Sequence, residues 1–298
     1  MKQKKRRGCG LGLIIILCAV LAVLIFFSVK KVLEKLAHYG ESTTVQSEEI
    51  SEAEDASEQD TIDPEDAAEE EEDPLPKNTY DADGFYEENG LLQYDHEGVI
   101  GVPGIDVSAH QTEIDWPAVK EAGVEFAMIR VGYRGYGTGK LDLDDYFLRN
   151  MEGALNAGLD VGVYFFSQAL TPEEAVEEAE YVLNWIEGYD IRYPVVFDWE
   201  EVEDTARTDD MNMLMLTSCA EAFCKTIEEA GYTASIYFNQ VYGYTQLNLV
   251  SLMEYDFWLA EYAETPTFVY DFQMWQYTNE GTVSGISGPV DLNIYFKK

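Results

Sequence analysis

The sequence predicts an α/β barrel of eight strands and about five helices over residues 101–298. The first observation is that a helical stretch ends in Ala-Gly three times, at residues 122–123, 157–158 and 230–231, and an apolar strand follows each within a few residues. A glycine just past a helix adopts the left-handed conformation that stops it, so each pair marks a helix-to-strand connection. The second observation is that the last three apolar segments follow one another with too little sequence between them for full helices.

The strands are the apolar segments bounded by turn residues. In chain order they cover residues 104–108, 126–131, 161–166, 194–200, 234–238, 257–261, 272–278 and 290–296. The helix before the fourth strand begins at Thr171 and Pro172, because threonine caps a helix and proline suits its first turn. A doubly wound open sheet is the competing architecture, but no glycine-rich phosphate loop follows the first strand.

An uncharged, strongly apolar stretch runs from residue 8 to residue 29, directly after a cluster of basic side chains. About 20 apolar residues span a bilayer as a helix, so we expect residues 11–29 to form a single transmembrane signal anchor. A cleavable signal peptide is the alternative, but its apolar core is shorter and ends at a small-residue cleavage site, which this stretch lacks. Residues 1–10 are then cytoplasmic, and the chain after the span lies outside the cell membrane, in the wall space.

Two further segments lie between the predicted span and the barrel. Residues 30–79 are highly acidic, with 16 acidic and no basic side chains from residue 41 to residue 76. Such a segment has little apolar surface to bury, so we expect a disordered stalk that is extended by self-repulsion. In residues 80–100 aromatic residues return on either side of Asn89-Gly90, a pattern typical of a β-hairpin that leads into the domain.

Composition and charge exclude several classes of function. The formal net charge is −38, and residues 101–298 carry 34 acidic against 10 basic side chains, which disfavours binding to nucleic acid. Four cysteines are too few for a disulfide scaffold. The three histidines form no metal motif, and a Ser-His-Asp triad would rest on His110 alone. We therefore expect neither a metal nor any other cofactor.

Acidic residues interrupt three of the apolar strands. Asp106 lies in the first strand, Asp198 and Glu200 in the fourth, and Asp291 at the start of the last. Because side chains alternate along a strand, Asp198 and Glu200 point to the same side. The first and last strands of a closed barrel are neighbours, so Asp291 is expected beside Asp106.

Crowded carboxylates repel one another, so one of them holds its proton to a higher pH. A protonated acid beside an ionised one is what cleavage of a glycosidic bond requires. An acidic cluster is also a ligand set for Ca²⁺ or Mg²⁺, which stays open as the alternative.

Aromatic residues accompany the acids near the carboxyl ends of the strands. Flat rings pack against the C–H faces of sugars, and phenol and indole groups add hydrogen bonds, so these positions favour a carbohydrate substrate. By alternation, about half of them face the site, and the others pack beneath the helices. They are Tyr164, Phe166, Tyr237, Trp258, Tyr262, Trp275 and Tyr277.

Taken in order, the motifs of this domain resemble those of glycoside hydrolase family 25 lysozymes, the N-acetylmuramidases. They are GIDVSAHQ at 104–111, FAMIR at 126–130, GVYFF at 162–166, FDWE at 197–200, FWLA at 257–260, MWQY at 274–277 and VDLN at 290–293. The resemblance implies a (β/α)5(β)3 barrel that cleaves the β-1,4 bond between N-acetylmuramic acid and N-acetylglucosamine in peptidoglycan glycan strands.

Carried over residue by residue, the resemblance makes Glu200 the proton donor and Asp198 its partner carboxylate. Asp106 and Asp291 are then the remaining active-site acids. The substrate-binding residues that we expect from the aromatic positions and these motifs are Tyr164, Tyr237, Trp258, Trp275 and Gln276.

Two other functions stay open. A catalytically silent glycan-binding module at the cell surface would keep the aromatic residues without needing Glu200, but all four acids are present. A structural tether would explain the anchor and stalk, but it would not explain carboxylates within apolar strands. With the anchor, the enzyme interpretation places a peptidoglycan hydrolase at the membrane of a bacterium with an exposed wall.

Overall fold

The structure, a computed structural model, describes residues 73–202 and 205–298. The predicted cytoplasmic segment and membrane span, residues 1–29, and the predicted stalk up to residue 72 lie outside the described residues. Within the described part, no helix is both long and apolar enough to cross a membrane.

One sheet of eleven strands forms the centre of the domain, and eight of the strands close into a barrel. The strands are β1 (Phe85–Glu88), β2 (Leu91–His96), β3 (Val99–Val107), β4 (Phe126–Arg134), β5 (Leu141–Leu143), β6 (Asp160–Ser167), β7 (Ile191–Trp199), β8 (Ala234–Asn239), β9 (Asp256–Ala260), β10 (Met274–Gly281) and β11 (Val290–Lys297). The order around the barrel is β3-β4-β6-β7-β8-β9-β10-β11, and β11 pairs back onto β3. The predicted eight-stranded barrel is therefore confirmed.

Five helices connect the first six barrel strands. They are α1 (Trp116–Glu121), α2 (Phe147–Asn156), α3 (Pro172–Ile186), α4 (Met213–Glu229) and α5 (Gln240–Thr245). The three Ala-Gly pairs end α1, α2 and α4 as predicted, and Gly123, Gly158 and Gly231 have φ angles of 101°, 80° and 89°. After β9 the described chain continues in loops and strands only.

The last barrel strand runs against the others. From β3 to β10 the neighbouring barrel strands pair in parallel, whereas β11 is antiparallel to both β10 and β3. The chain between Gly281 and Val290 is too short for the crossover that a parallel pair needs, which is typically a dozen residues or more. Strand β11 therefore departs from the parallel arrangement of the other barrel strands, and its first residues lie at their carboxyl ends.

Two apolar layers surround the sheet. The outer layer lies between the strands and the helices, where Phe197 contacts Phe223 of α4 with ring centroids 5.5 Å apart. The inner layer fills the barrel and consists of Phe126, Met128, Tyr164, Tyr193, Val196, Tyr237, Trp258, Ala260 and Met274. These large side chains fill the interior of the barrel, so its polar residues are concentrated above them, at the open end.

Residues 73–98 pack directly onto the barrel. Strands β1 and β2 form a hairpin around Asn89 and Gly90, whose φ angles of 55° and 80° fit a type I′ turn. The ring of Tyr80 stacks on Phe296 of β11 with centroids 3.8 Å apart, and its hydroxyl donates to the Phe272 carbonyl at 2.5 Å. The segment before the barrel therefore contributes to the same apolar core.

Candidate active site

A cavity of about 730 Å³ opens where the parallel strands end. The four acids that the sequence singled out, Asp106, Asp198, Glu200 and Asp291, all line it. This position is the one at which barrel enzymes hold their catalytic groups, since strand ends and loops converge there on a rigid scaffold. The structure therefore gathers the predicted acids in one place.

Alternation along β7 places Asp198 and Glu200 in the cavity. Phe197 and Trp199 alternate with the two acids and point outwards into the layer beneath the helices. There the ring centroids of Trp199 and Tyr242 lie 5.6 Å apart. Asp198 is only 5% exposed, and Glu200 directly follows the last residue of the strand. The two carboxyl groups thus lie on one side of the strand, and that of Glu200 is nearer to solvent.

A chain of hydrogen bonds holds Asp106 at the centre of the cavity. Its Oδ2 accepts from both Gln276 Nε2 and Asn293 Nδ2, each at 2.8 Å. The hydroxyls of Tyr237 and Tyr262 donate to Gln276 Oε1 at 3.1 and 2.9 Å, which fixes the orientation of that carboxamide. Two amides that donate to the same oxygen favour the ionised form of Asp106.

Burial raises the pKa of all four acids. It raises the pKa of Asp106 to about 6, against the two amide hydrogen bonds, and it raises the pKa of Asp291 to about 8 with the help of the Asp106 charge. Burial and then the Asp106 charge raise the pKa of Glu200. The pKa of Asp198 is raised well above its ordinary value by burial and by Glu200 and Asp106.

Besides burial, the raised pKa values of Asp198, Glu200 and Asp291 share one electrostatic cause. Asp106 carries the hydrogen bonds that suit an anion, and its charge acts on each of the other three acids. We therefore assign the first negative charge of the cluster to Asp106. The remaining carboxyl groups hold protons at a pH where ordinary carboxylates have lost them, which is the condition for acid catalysis.

One cation that the sequence analysis did not select faces the same cavity. Arg130 of β4 lines it, and its Nε and Nη2 donate to Asp144 Oδ2 at 2.9 and 2.8 Å. Asp144 also accepts from the Ala109 backbone N–H at 3.0 Å, so it joins Arg130 to the turn that follows β3. The charge of Arg130 opposes the raised pKa of Asp198. A basic residue inside the apolar segment 126–131 was a signal of the same kind as the acids.

The aromatic residues divide as strand alternation requires. Tyr164 and Tyr237 line the cavity, and Tyr262 lies at its rim with 54% of its surface exposed. Trp258 also lines it but is 1% exposed, because its ring packs against Tyr237 and its Nε1 donates to Asn293 Oδ1 at 2.9 Å. Trp258 therefore forms the floor of the cavity rather than an open stacking surface.

Trp275 does not reach the cavity. On β10 it is Gln276 that points inwards, so Trp275 points outwards, where it is fully buried beside Phe85 of the hairpin. Its Nε1 donates to the Glu261 carbonyl at 2.7 Å. The expectation that Trp275 binds substrate is corrected, since its side chain packs between the barrel and residues 73–98.

The described residues contain no group of three or more His, Cys, Asp or Glu side chains placed to hold a metal ion.

Comparisons with known proteins agree with this arrangement. The sequence matches the family model of glycosyl hydrolases family 25 over residues 105–286. It is 29% identical over 191 residues to the autolytic lysozyme of Clostridium acetobutylicum, covering 64% of this chain and 54% of that protein. It is 31% identical over 206 residues to lysozyme M1 of Streptomyces globisporus, covering 65% and 67%.

Among solved structures, the fold is similar to that of the modular autolysin LytC of Streptococcus pneumoniae, solved in complex with a synthetic peptidoglycan ligand. The TM-score is 0.59 at 22% identity, over 72% of this chain and 52% of that one. The chain thus spans about half the length of LytC and of the Clostridium lysozyme. The family match covers most of the barrel and three of the four acids, and Asp291 lies five residues past its end. The chain therefore belongs to family 25 of the glycosyl hydrolases.

Proposed function

We propose that the chain is a peptidoglycan hydrolase that cleaves the β-1,4 bond between N-acetylmuramic acid and N-acetylglucosamine, with Glu200 as the proton donor. The observation that carries the proposal is the shared cavity of Asp198 and Glu200, where burial and the Asp106 charge raise the pKa of Glu200. Membership of family 25 and the lysozyme names of its relatives support the choice of substrate.

The reaction begins with protonated Glu200 beside the glycosidic oxygen. Its proton passes to that oxygen as the bond to the anomeric carbon breaks, and the N-acetylglucosamine side leaves as an alcohol. Positive charge develops on the sugar ring. Asp198 stabilises it by holding the substrate's own acetamido group, or as a nucleophile once its proton has passed to solvent, since its raised pKa leaves it protonated at first. Water then supplies the hydroxyl to the anomeric carbon, and its proton returns to Glu200.

The remaining cavity residues suit a saccharide. The rings of Tyr164 and Tyr237 offer flat surfaces beside the acids, and Tyr262 extends the surface to the rim. Hydrogen bonds from Tyr237 and Tyr262 to Gln276 hold these phenols in fixed positions. A sugar ring that enters the cavity therefore meets aromatic faces and carboxyl oxygens together, which is the usual composition of a carbohydrate site.

Purified cell wall tests this function directly. Glu200→Gln keeps the shape of the side chain and removes its acidic proton, so we expect reducing-end release to fall by about 100-fold or more, since general acid catalysis typically contributes about 100- to 10,000-fold. Glu228→Gln, at an exposed position on α4, is the matched control and is expected to keep full activity. Mass spectrometry of the products should show N-acetylmuramic acid at the new reducing ends.

The outcomes separate the candidate functions. Equal activity of wild type and Glu200→Gln would remove Glu200 as the acid. Binding of wild-type protein to cell wall with no bond cleavage would favour the silent glycan-binding module.

We propose further that residues 11–29 anchor the enzyme in the cell membrane, with the barrel on the outer side, so that cleavage is confined to nearby wall. The support is the apolar stretch 8–29 with its preceding basic cluster. Fractionation of cells should recover the full-length protein with membranes, and protease added to wall-free cells should digest the barrel. Recovery of the protein in the medium, shortened by its first residues, would contradict the anchor.

A further inference from the structure

A fully buried glutamine lies directly after β6, between two parts of the loop that follows β7. The Nε2 of Gln168 donates to the backbone carbonyl of Glu200 at 3.1 Å, and its Oε1 accepts from the Thr208 hydroxyl at 2.7 Å. Both hydrogen-bonding groups of one carboxamide are therefore used on the same loop, one near each end of it.

The far end of this loop has further attachments. Arg207 Nη1 and Nη2 donate to the two carboxylate oxygens of Glu174 on α3 at 2.9 and 2.7 Å. The backbone N–H of Arg207 donates to the Tyr136 carbonyl at 2.9 Å, in the connection between β4 and β5. The loop end that Gln168 contacts through Thr208 is thus fixed to two neighbouring elements.

The start of this loop, next to the end of β7, depends more heavily on Gln168 than the part around Thr208 does. Strand β7 ends at Trp199, and its pairing with β6 ends at the same residue, opposite Ser167. Glu200 is the next residue, so its backbone has left the sheet ladder while its side chain still points into the cavity. The bond from Gln168 holds the backbone of Glu200 at this point.

We propose that Gln168 is a positioning residue for Glu200: by bonding the Glu200 carbonyl and the Thr208 hydroxyl at once, it fixes the reach of the Glu200 carboxyl group into the cavity. This inference rests on the proposed role of Glu200 as proton donor. A misplacement of about 1 Å in a reacting group lowers a rate by as much as about 100-fold, so a backbone bond at this residue matters for catalysis.

By holding the Glu200 backbone against a fully buried side chain, the Gln168 bond is also expected to limit the access of water to Glu200. Burial raises the pKa of Glu200, so a loosened loop that admits water brings this pKa down towards its ordinary value. The groups whose charges couple to that of Glu200 are the carboxyls of Asp106, Asp198 and Asp291 and the phenols of Tyr237, Tyr242 and Tyr262. The basic side chains that line the same cavity are those of Arg130, Arg134 and His110.

Gln168→Met tests the inference, because methionine has a similar shape and makes neither bond. In the full-length protein we expect kcat for reducing-end release to fall about 10-fold or more, with KM within about twofold, since the loss concerns the reacting group rather than substrate contacts. The basic limb of the pH profile of kcat/KM should move to lower pH by about half a unit or more. Thr208→Val removes only the outer contact and should change both quantities in the same direction by a smaller amount.

The matched control is Gln273→Met. The Gln273 carboxamide also donates to a backbone carbonyl, that of Phe296 at 2.8 Å, but just before β10, at the closed end of the barrel. Gln273→Met should lower the melting temperature, by less than Gln168→Met because it loses one bond and Gln168→Met loses two, and it should leave kcat and the pH profile unchanged. A merely structural role of Gln168 predicts the same behaviour for both variants.

Each result decides the inference. A folded Gln168→Met protein with kcat and pH profile within experimental error of wild type would overturn it, as would equal effects of Gln168→Met and Gln273→Met. If Gln168→Met does not fold, an unchanged pH profile in Thr208→Val overturns it and a shift to lower pH supports it. Full activity of Glu200→Gln would instead overturn the proposed function on which the inference rests.

Discussion

Asp106 and Asp291 stand directly opposite each other across the antiparallel pair of β3 and β11. The pair exists because β11 reverses direction, which brings its first residues to the carboxyl end of β3. Two amides hold Asp106 as an acceptor, whereas Asp291 has the Asp106 charge beside it and a pKa raised to about 8. Near neutral pH the two acids therefore differ in charge although they occupy equivalent positions.

The first prediction concerns the source of this charge. Asp106→Asn removes the negative charge that raises the pKa of Glu200, and an asparagine oxygen still accepts the two amide hydrogen bonds. Glu200 then loses its proton at a lower pH, so the basic limb of the kcat/KM profile should move to lower pH. Asp95→Asn, at an exposed position on β2, should leave the profile in place. A shift to higher pH would show that Asp106 is not the charge that acts on Glu200.

The second prediction concerns stability. The pKa of Asp291 is about 8 in the folded protein against an ordinary value of 3.8, so the folded state binds the proton more tightly. The resulting stabilisation is fully present below about pH 4 and is lost as the pH rises through 8. Asp291→Asn has no such proton to lose, and we expect it to unfold at higher urea than wild type at pH 8.5.

The size of this gain is about 1 to 3 kcal/mol, below the full linkage value because Asp291 is partly open to solvent. Urea denaturation at pH 5 and pH 8.5 measures it, and Asp95→Asn corrects for the change in net charge. An equal pH dependence in Asp291→Asn and wild type would contradict the raised pKa. We expect Asp291→Asn to lower the catalytic activity while it raises the stability, as is common where an active-site group destabilises the fold.

Much of the site was predictable because it depends on local rules. Alternation along one strand was enough to place Asp198 and Glu200 on the same side, and neighbouring first and last strands placed Asp291 beside Asp106. The Ala-Gly pairs marked three helix ends because the left-handed position after a helix strongly favours glycine. Each of these inferences needs only a few residues of chain and no knowledge of distant contacts.

The parts that sequence reasoning missed depend on contacts between distant residues. Trp275 and Gln276 are adjacent in one motif, and only the closed barrel and the packed segment 73–98 show which of them points inwards. Gln168 appears as an ordinary polar residue after a strand, and its role depends on where a loop about 40 residues later returns. Arg130 interrupts an apolar strand just as the acids do, but its partner Asp144 lies 14 residues further along the chain, and only the fold brings the two together.

A buried ion pair at the wall of the cavity, formed by Arg134 and Glu178, supports the third prediction. Arg134 is 3% exposed and its Nε donates to Glu178 Oε1 at 2.7 Å, while burial raises the pKa of Glu178 to about 7 despite this partner. Arg134→Met leaves the Glu178 carboxylate without its cation, so we expect a loss of about 3 to 5 kcal/mol in the free energy of unfolding at pH 8.

At pH 5 the loss should be smaller, because without Arg134 the pKa of Glu178 rises further and the group is neutral there. Urea denaturation at the two pH values measures the difference. Arg149→Met, which breaks the exposed pair with Glu113, should cost no more than about 1 kcal/mol. A loss from Arg134→Met that is independent of pH would mean that packing, rather than the buried charge, dominates.

The last prediction tests whether residues 73–98 belong to the folding unit. The ring of Tyr80 stacks on Phe296, its centroid lies 5.0 Å from that of Phe272, and its hydroxyl donates to the Phe272 carbonyl. Tyr80→Ala therefore opens a cavity in the core and removes a hydrogen bond. We expect a loss of about 3 to 5 kcal/mol in the free energy of unfolding, and about 1 kcal/mol for Tyr80→Phe, which removes only the hydroxyl. Tyr86→Ala, at a half-exposed position on β1 of the following hairpin, should cost less than about 1 kcal/mol. Urea denaturation compares the three, and equal losses for Tyr80→Ala and Tyr86→Ala would mean that the barrel is stable without this segment.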